Sequence, residues 1–324
     1  MKKIVFTALL ALSTSATFAN EHSWSAPFTP KNVSASLSSG MLLKSEANEV
    51  VYIPDDRSKA SELNWNTNNA QIVNAEINWQ FHPKVSFNAR GWTTLSKNSS
   101  VMDDYDWMSE KDRDLLTDWS HHDNTNLNYA NEFDLNFNFN IFDTTHYSLG
   151  AILGYQQNRY SWSAFGGTYH YSDVDADGNY LDGSALTDIG EFDANTQLIG
   201  YQQKFKMPYI GLSNNFKYNK FQINTTLKYS NQVSASDFDR HYSRDTNFYN
   251  SAKNGEYFGA ILNASYDIRP DTKLFTEYTW SEYKLVKADT TIIDFDEGET
   301  DFSPNGGGIS NKSQSISLGV RYSF

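Results

Sequence analysis

Residues 126–141 read NLNYANEFDLNFNFNI. One parity carries Leu127, Tyr129, Phe133, Leu135, Phe137, Phe139 and Ile141. The other carries Asn126, Asn128, Glu132, Asp134, Asn136, Asn138 and Asn140. Asn131 is the one break on the apolar side. Side chains of a strand alternate between two faces, so this stretch is a strand with one apolar face and one wet face. In a water-soluble sheet the apolar face meets a core. In an outer-membrane barrel it meets lipid, and the wet face lines the lumen. The local pattern is the same in both, so the rest of the chain decides.

The chain opens with MKKIVFTALLALSTSATFA. Lys2 and Lys3 are followed by a short apolar run, and Thr17-Phe18-Ala19 supplies small residues for cleavage. This is the pattern of a secretory signal over residues 1–19, too short to span a bilayer as a helix. The remainder, 20–324, is expected to form a single barrel domain. Removing the signal takes the formal net charge from −13 to −15. So acidic a chain is ill suited to nucleic acid, whose phosphates need Lys and Arg. It suits basic partners. There is no cysteine, so an exported fold must be held by its sheet and its surroundings rather than by disulfides. Aromatics make up 15% of the residues, yet mean hydropathy is negative. After the signal no long apolar run suggests a transmembrane helix.

Alternation recurs at Val73–Phe81, Val85–Ala89, Tyr147–Tyr155, Phe221–Tyr229, Phe258–Tyr266 and Ile316–Phe324. Noisier strands are expected near 30–44, 197–218 and 273–283, with Pro208 marking a bulge or an edge of regularity. The total is ten strands, give or take two. The connections carry more information. His82-Pro83, Asp143-Thr144-Thr145, Tyr218-Asn219-Lys220 and Arg269-Pro270-Asp271-Thr272 are tight turns. Between them lie long polar segments near 45–70, 96–124, 157–196, 231–256 and 284–312. Short turns at one end and long connections at the other mark a transmembrane barrel. A soluble sandwich has no reason to sort its loops this way. The reading is therefore an all-β, ten-stranded antiparallel transmembrane β-barrel with short periplasmic turns and long extracellular loops. It places the odd residues of 127–141 against lipid and the even ones in the lumen. Sixteen residues tilted by about 40° climb on the order of 38 Å, against an apolar band of about 25 Å. The barrel should project above the outer membrane, with Glu132, Asp134 and the Asn ladder filling a narrow lumen.

The candidate chemistry lies in the long segments. In MDDYDWM (102–108), Asp104 and Asp106 share one face of an extended strand. Two close carboxylates titrate together, and one can hold a proton near neutrality. In SASDFDRHYS (234–243), Asp237, Asp239 and His241 alternate on one face. An Asp beside a His orients the imidazole and raises its basicity, which suits general-base work on water. Taken alone, each motif reads as a solvated acidic face. Topology sharpens them, because the hairpins that carry them lie nearly opposite in a ring of ten. Water held between the two pairs could attack a peptide carbonyl without a Ser or Cys nucleophile. Continuing the outward parity of Tyr229 would turn Asp239 and His241 outward, so a bulge between them is required. His121-His122 is a poor metal pair, since neighbours on a strand point apart. SDVDADG (172–178) opens like a calcium loop, but Ser184 stands where a bidentate Glu is needed. No metal is expected.

GWTTL (91–95), DYDWM (104–108), LNYANEFDLN (127–136), GGTYHYS (166–172), FKMPYIGL (205–212), DFDRHY (237–242) and the final YSF resemble the omptin family of outer-membrane proteases, in order across the mature chain. The resemblance implies a vase-shaped barrel in the Gram-negative outer membrane, with its active site facing the exterior. It implies an endopeptidase acting on basic peptides and proteins, often between two basic residues. By that resemblance the catalytic positions are Asp104, Asp106, Asp239 and His241. The acidic pocket before the scissile bond falls on Glu49 and Asp237, and the position after it on Asp118 with Ser120 nearby. Lipopolysaccharide, which the family needs for activity, would contact Tyr155, Gln157, Arg159, Lys204 and Lys253. Gln157 replaces a usual acid and Lys204 a usual Arg. The rival readings are a non-enzymatic adhesin or surface-binding barrel, a small porin, and a metallohydrolase using Asp237, Asp239 and His241.

Overall fold

The computed structural model describes residues 32–54, 56, 58–175, 180 and 186–324. The expected signal segment lies outside them, as does part of the acidic 172–184 loop, including Asp177, Gly178 and Ser184. Eleven strands follow in order: β1 (Val33–Tyr52), β2 (Lys59–His82), β3 (Val85–Thr94), β4 (Asn98–Asp106), β5 (Asp118–Asp143), β6 (Tyr147–Tyr171), β7 (Asp188–Tyr218), β8 (Phe221–His241), β9 (Thr246–Arg269), β10 (Thr272–Asp294) and β11 (Glu299–Ser323). All pairings are antiparallel, and β1 pairs with both β2 and β11, which closes the sheet. The ring has ten positions. β3 and β4 share the third, one above the other, each bridging β2 and β5. The interruption falls at Leu95-Ser96-Lys97.

The four short turns lie where Pro, Asn and Asp place them. Asn219 adopts φ 52° in the β7–β8 turn, a left-handed conformation that Asn tolerates better than most residues. At the other end most of the polar segments expected as loops are paired strand. The connections there are only 53–58, 107–117, 172–187, 242–245 and 295–298. Alternation is faint in these segments because their outer face is polar, while apolar and charged residues mix on the buried inner face, whose parity shifts at bulges. A strand of 24 residues such as β2 climbs about 60 Å at a 40° tilt. More than half of the barrel therefore stands clear of the apolar band. That band is visible outside the lower half, where Leu37, Ile77, Phe133, Phe137, Leu153, Ile210, Leu212, Leu227, Leu262 and Leu318 are exposed.

Leu127 departs from the expected pattern. It is fully buried and packs with the inner apolar cluster. The β5–β6 register shifts between Leu127 and Tyr129, and this bulge exchanges the two faces above it. The lipid-facing parity therefore holds from Tyr129 downward. On β8 the required bulge is present. The register shifts between Ser230 and Val233, and the buried set passes from Lys228 and Ser230 to Val233, Ala235, Asp237, Asp239 and His241. On the facing strand β7 the register also shifts between Lys206 and Ile210. Ser230 Oγ donates to the Pro208 carbonyl there at 2.7 Å.

The lumen is packed at mid-height. Lys228 Nζ pairs with Asp134, whose Oδ1 also accepts from Tyr209 Oη at 2.8 Å. Asn158 Nδ2 donates to Glu132 at 3.1 Å and Tyr283 Oη to Asn158 at 2.6 Å. Such a closed polar network satisfies groups that would otherwise be stranded away from water. Above it lies an aromatic layer. Tyr201 stacks on Trp65 at 5.3 Å, and Trp162 stacks on Tyr160 at 5.7 Å. Below it a polar cavity of about 430 Å³ opens beside the short turns, bounded by Asn138, Asn140 and Ser213 among others. The narrow, filled lumen thus describes the middle and upper barrel, and the periplasmic end is hollow.

Candidate active site

The aromatic layer is the floor of a groove at the outer mouth. β4 forms one wall. Its inward parity, Ser100 and Met102 below, carries Asp104 and Asp106. Asp104 stands opposite Leu63 on β2 and Ser120 on β5. Ser61 Oγ donates to Asp104 Oδ1 at 3.2 Å. Burial and the charge of Asp106 push the Asp104 carboxyl well above its ordinary value. Arg244 opposes this shift, and Asp239 adds to it from across the groove. The Asp106 carboxyl is also raised, chiefly by burial.

The other wall is β8. Asp239 and His241 are both buried, and Asp239 Oδ2 lies 2.7 Å from His241 Nε2. Asp239 Oδ1 has no hydrogen-bond partner among the described residues. Arg244 Nη2 reaches His241 Nδ1 at 2.6 Å. A guanidinium can only donate, so Nδ1 accepts, and the imidazole N–H is on Nε2, directed at Asp239. Phe248 packs edge-on against the ring at 5.2 Å.

A third acidic pair lies deeper, between β1 and β8. Glu49 is 1% exposed and Asp237 7%. Asn250 on β9 joins them. Its Nδ2 donates to Glu49 Oε1 at 2.9 Å and its backbone N–H to Asp237 Oδ1 at 3.2 Å. Tyr201 Oη donates to Asp237 Oδ2 at 3.1 Å. Glu49 Oε2 is buried without a partner among the described residues. Burial first, then Asp237, Asp239 and Asp104, hold the Glu49 carboxyl well above the usual range. Asp237 is raised to about 7, mainly by burial. Two buried carboxyl groups joined through one asparagine are the chemistry that can hold a cation, a planar guanidinium above all. Asn250 approaches Gly307, where a Cβ would collide with its Oδ1. The GGG run at 306–308 leaves that space.

Asp118 stands in register with Asp106. Its two oxygens accept from Tyr180 Oη at 2.9 Å and the Ser172 backbone N–H at 3.4 Å. Ser120 is bonded to His122 Nε2 at 2.9 Å. His122 Nδ1 meets the Gly166 carbonyl, so Nδ1 carries the proton and Nε2 accepts from the serine. Burial lowers the His122 pKa. His121 turns outward to Asp103 at 2.8 Å, so the adjacent histidines do point apart. On the outer wall, Arg159 pairs with Lys204, Gln157 with Lys206 and Tyr155 with Pro208. Lys253 is exposed two strands away on β9. Asn250, Tyr201, Arg244 and Lys206 were not singled out from sequence. Asn250 lies on the inward face of β9 opposite Asp237, a pairing set by the register of the two strands.

An outward apolar belt, a closed ring of long strands and an acidic groove with one imidazole at the exposed mouth define an outer-membrane barrel built for chemistry outside the cell. The chain belongs to the Omptin family, whose sequence model matches residues 29–324. It is 38% identical over 324 residues to Protease 7 of Escherichia coli (strain K12), covering 99% of this chain and 98% of that one. It is 38% identical over 327 residues to the plasminogen activator of Yersinia pestis, covering both completely. The crystal structure of the outer membrane protease OmpT from Escherichia coli superposes with a TM-score of 0.86 at 38% identity, covering 93% of this chain and 100% of that one. The protein is thus a protease of the outer membrane.

Proposed function

We propose that the protein is an endopeptidase that cuts exposed peptides beside basic residues, often between two, using water activated by His241 and Asp239. The observation that carries this is the 2.7 Å Asp239–His241 contact, turned into the groove opposite Asp104 and Asp106. With Nε2–H given to Asp239, the lone pair of Nδ1 is the base. It takes a proton from water as the water oxygen bonds to the scissile carbonyl carbon. Asp239 stabilises the imidazolium that forms. Asp104 and Asp106 titrate as a pair. The protonated member donates to the developing oxyanion, and the ionised one orients the water. When the C–N bond breaks, the imidazolium returns its proton to the leaving amine. Glu49 and Asp237 receive the basic side chain before the bond, and Asp118 with Ser120 borders the residue after it.

Lipopolysaccharide is read as an activating partner. Arg159, Lys204 and Lys253, with Tyr155 and Gln157, present cationic and polar groups on the outer wall, chemistry that fits sugar phosphates. The test is a quenched fluorescent peptide with one Arg-Arg pair, given to refolded protein with and without lipopolysaccharide, beside His241→Ala. Cleavage between the arginines, abolished in the variant, supports the reading. No cleavage by a correctly folded, lipopolysaccharide-loaded barrel would favour a surface-binding protein. Near-normal activity in His241→Ala would overturn the dyad.

A further inference from the structure

The groove already contains a guanidinium. Arg244 lies in the four-residue turn 242–245 that joins β8 to β9. The turn is pinned on its outer side. Arg240 pairs with Asp245 and donates to Asn247 Oδ1 at 2.9 Å. Asp245 takes φ 46°, and its carbonyl accepts from the Phe295 backbone N–H at 3.2 Å. Thr246 Oγ1 donates to the Arg244 carbonyl at 2.8 Å. With Asp245 and Thr246 tied down, Arg244 leans in, and its Nη2 sits 2.6 Å from His241 Nδ1. It lies close enough to Asp104 and Asp106 to oppose the rise in both carboxyl pKa values. The residue is nevertheless exposed to solvent.

This placement has a chemical consequence. Nδ1 is the only imidazole nitrogen left to accept a proton, and Arg244 occupies its lone pair. A water cannot be deprotonated there while the contact lasts. The same guanidinium neutralises part of the acidic field that draws basic substrates in.

We propose that Arg244 is a specificity-determining residue that competes with the substrate: its guanidinium stands in for a basic side chain, covers the base nitrogen of His241 and must swing out before turnover. The inference rests on His241 acting as the base. A peptide bringing its own cation between the carboxylates replaces the charge that leaves, so basic ligands displace Arg244 more readily than neutral ones. Exposed and set in the turn rather than in a strand, the side chain can move without disturbing the sheet.

The test uses lipopolysaccharide-loaded protein and Arg244→Ala, with folding checked by the heat-dependent shift in gel mobility. If the site is uncovered a third to a tenth of the time, the variant lowers KM about threefold to tenfold and leaves kcat unchanged. Guanidinium ion at millimolar concentration then inhibits the variant more strongly than the parent. A merely structural residue would not produce that result. A non-cleavable Arg–Arg peptide with a reduced amide gives a readout independent of turnover, and its Kd should tighten by the same factor. An unchanged Kd and KM, or a fall in kcat at constant KM, overturns the proposal. His241→Ala is the separate control. If it stays active the dyad fails, whatever Arg244→Ala does to peptide binding.

Discussion

Asn250→Ala tests the pocket through a residue that carries no charge. Its Nδ2 is the donor to Glu49 Oε1 at 2.9 Å, while Glu49 Oε2 has no partner among the described residues. Glu49 is almost fully buried, so solvent cannot replace the lost bond cheaply. A hydrogen bond to an ionised group is worth about 1.5–3 kcal/mol, or roughly tenfold to 150-fold at 1.4 kcal/mol per decade. The bond favours the carboxylate, so its loss raises the pKa of a group already raised by burial and by Asp237. At neutral pH less of Glu49 is ionised, and the pocket loses its hold on a guanidinium. The expected outcome is a loss of kcat/KM of that order for an Arg substrate. The loss should be largest near pH 6 and shrink as pH rises and Glu49 ionises again. The assay is kcat/KM from pH 6 to 9 for parent and variant. A variant within threefold of the parent across this range would refute the assignment of Glu49 as an ionised receptor held by Asn250.

Three other outcomes follow from the same geometry. Asp239→Asn removes the charge that stabilises an imidazolium and should abolish turnover while the barrel keeps its heat-dependent gel shift; substantial residual activity would refute that role. Glu49, Asp104, Asp106 and Asp237 all have raised carboxyl pKa values in the fold. Their contribution to stability is therefore complete below the unfolded value near 4 and is lost as pH rises through the folded values, about 7 for Asp237. Denaturant midpoints in detergent should fall from pH 5 to 8, with a shallower slope in Asp237→Asn; a flat or rising profile would contradict the burial account. Lys228→Met leaves Asp134 buried and unpaired in the lumen, at a cost of about 3–5 kcal/mol. It should lower the temperature of the gel shift, and Asp134→Leu in the same chain should recover much of the loss.

The barrel was legible because lipid enforces a simple rule. Alternate residues of a spanning strand are held apolar, and NLNYANEFDLNFNFNI follows this from Tyr129 downward with one break at Asn131. The tight turns at Pro83, Asn219 and Pro270 set one end by local chemistry alone. Where the strands leave the membrane the rule lapses. The outer face there is polar, and the inner face mixes Val233, Ala235 and Ala252 with Asp237, Asp239 and Asn250, so paired strand in 231–256 looks like loop. The motifs DYDWM and DFDRHY were visible as acidic pairs, but alternation alone places Asp239 and His241 on the outside. The Ser230–Val233 bulge turns them in, and a bulge is a property of two strands in register. Leu127 was misplaced for the same reason. The candidate catalytic groups legible in the sequence are those whose chemistry is rare in a strand, namely paired carboxylates and an imidazole beside an acid. Asn250, Tyr201 and Arg244 are common residues that matter by position. Their roles arise where β9, β7 and the 242–245 turn meet β8, across a closed ring whose register only the folded chain defines.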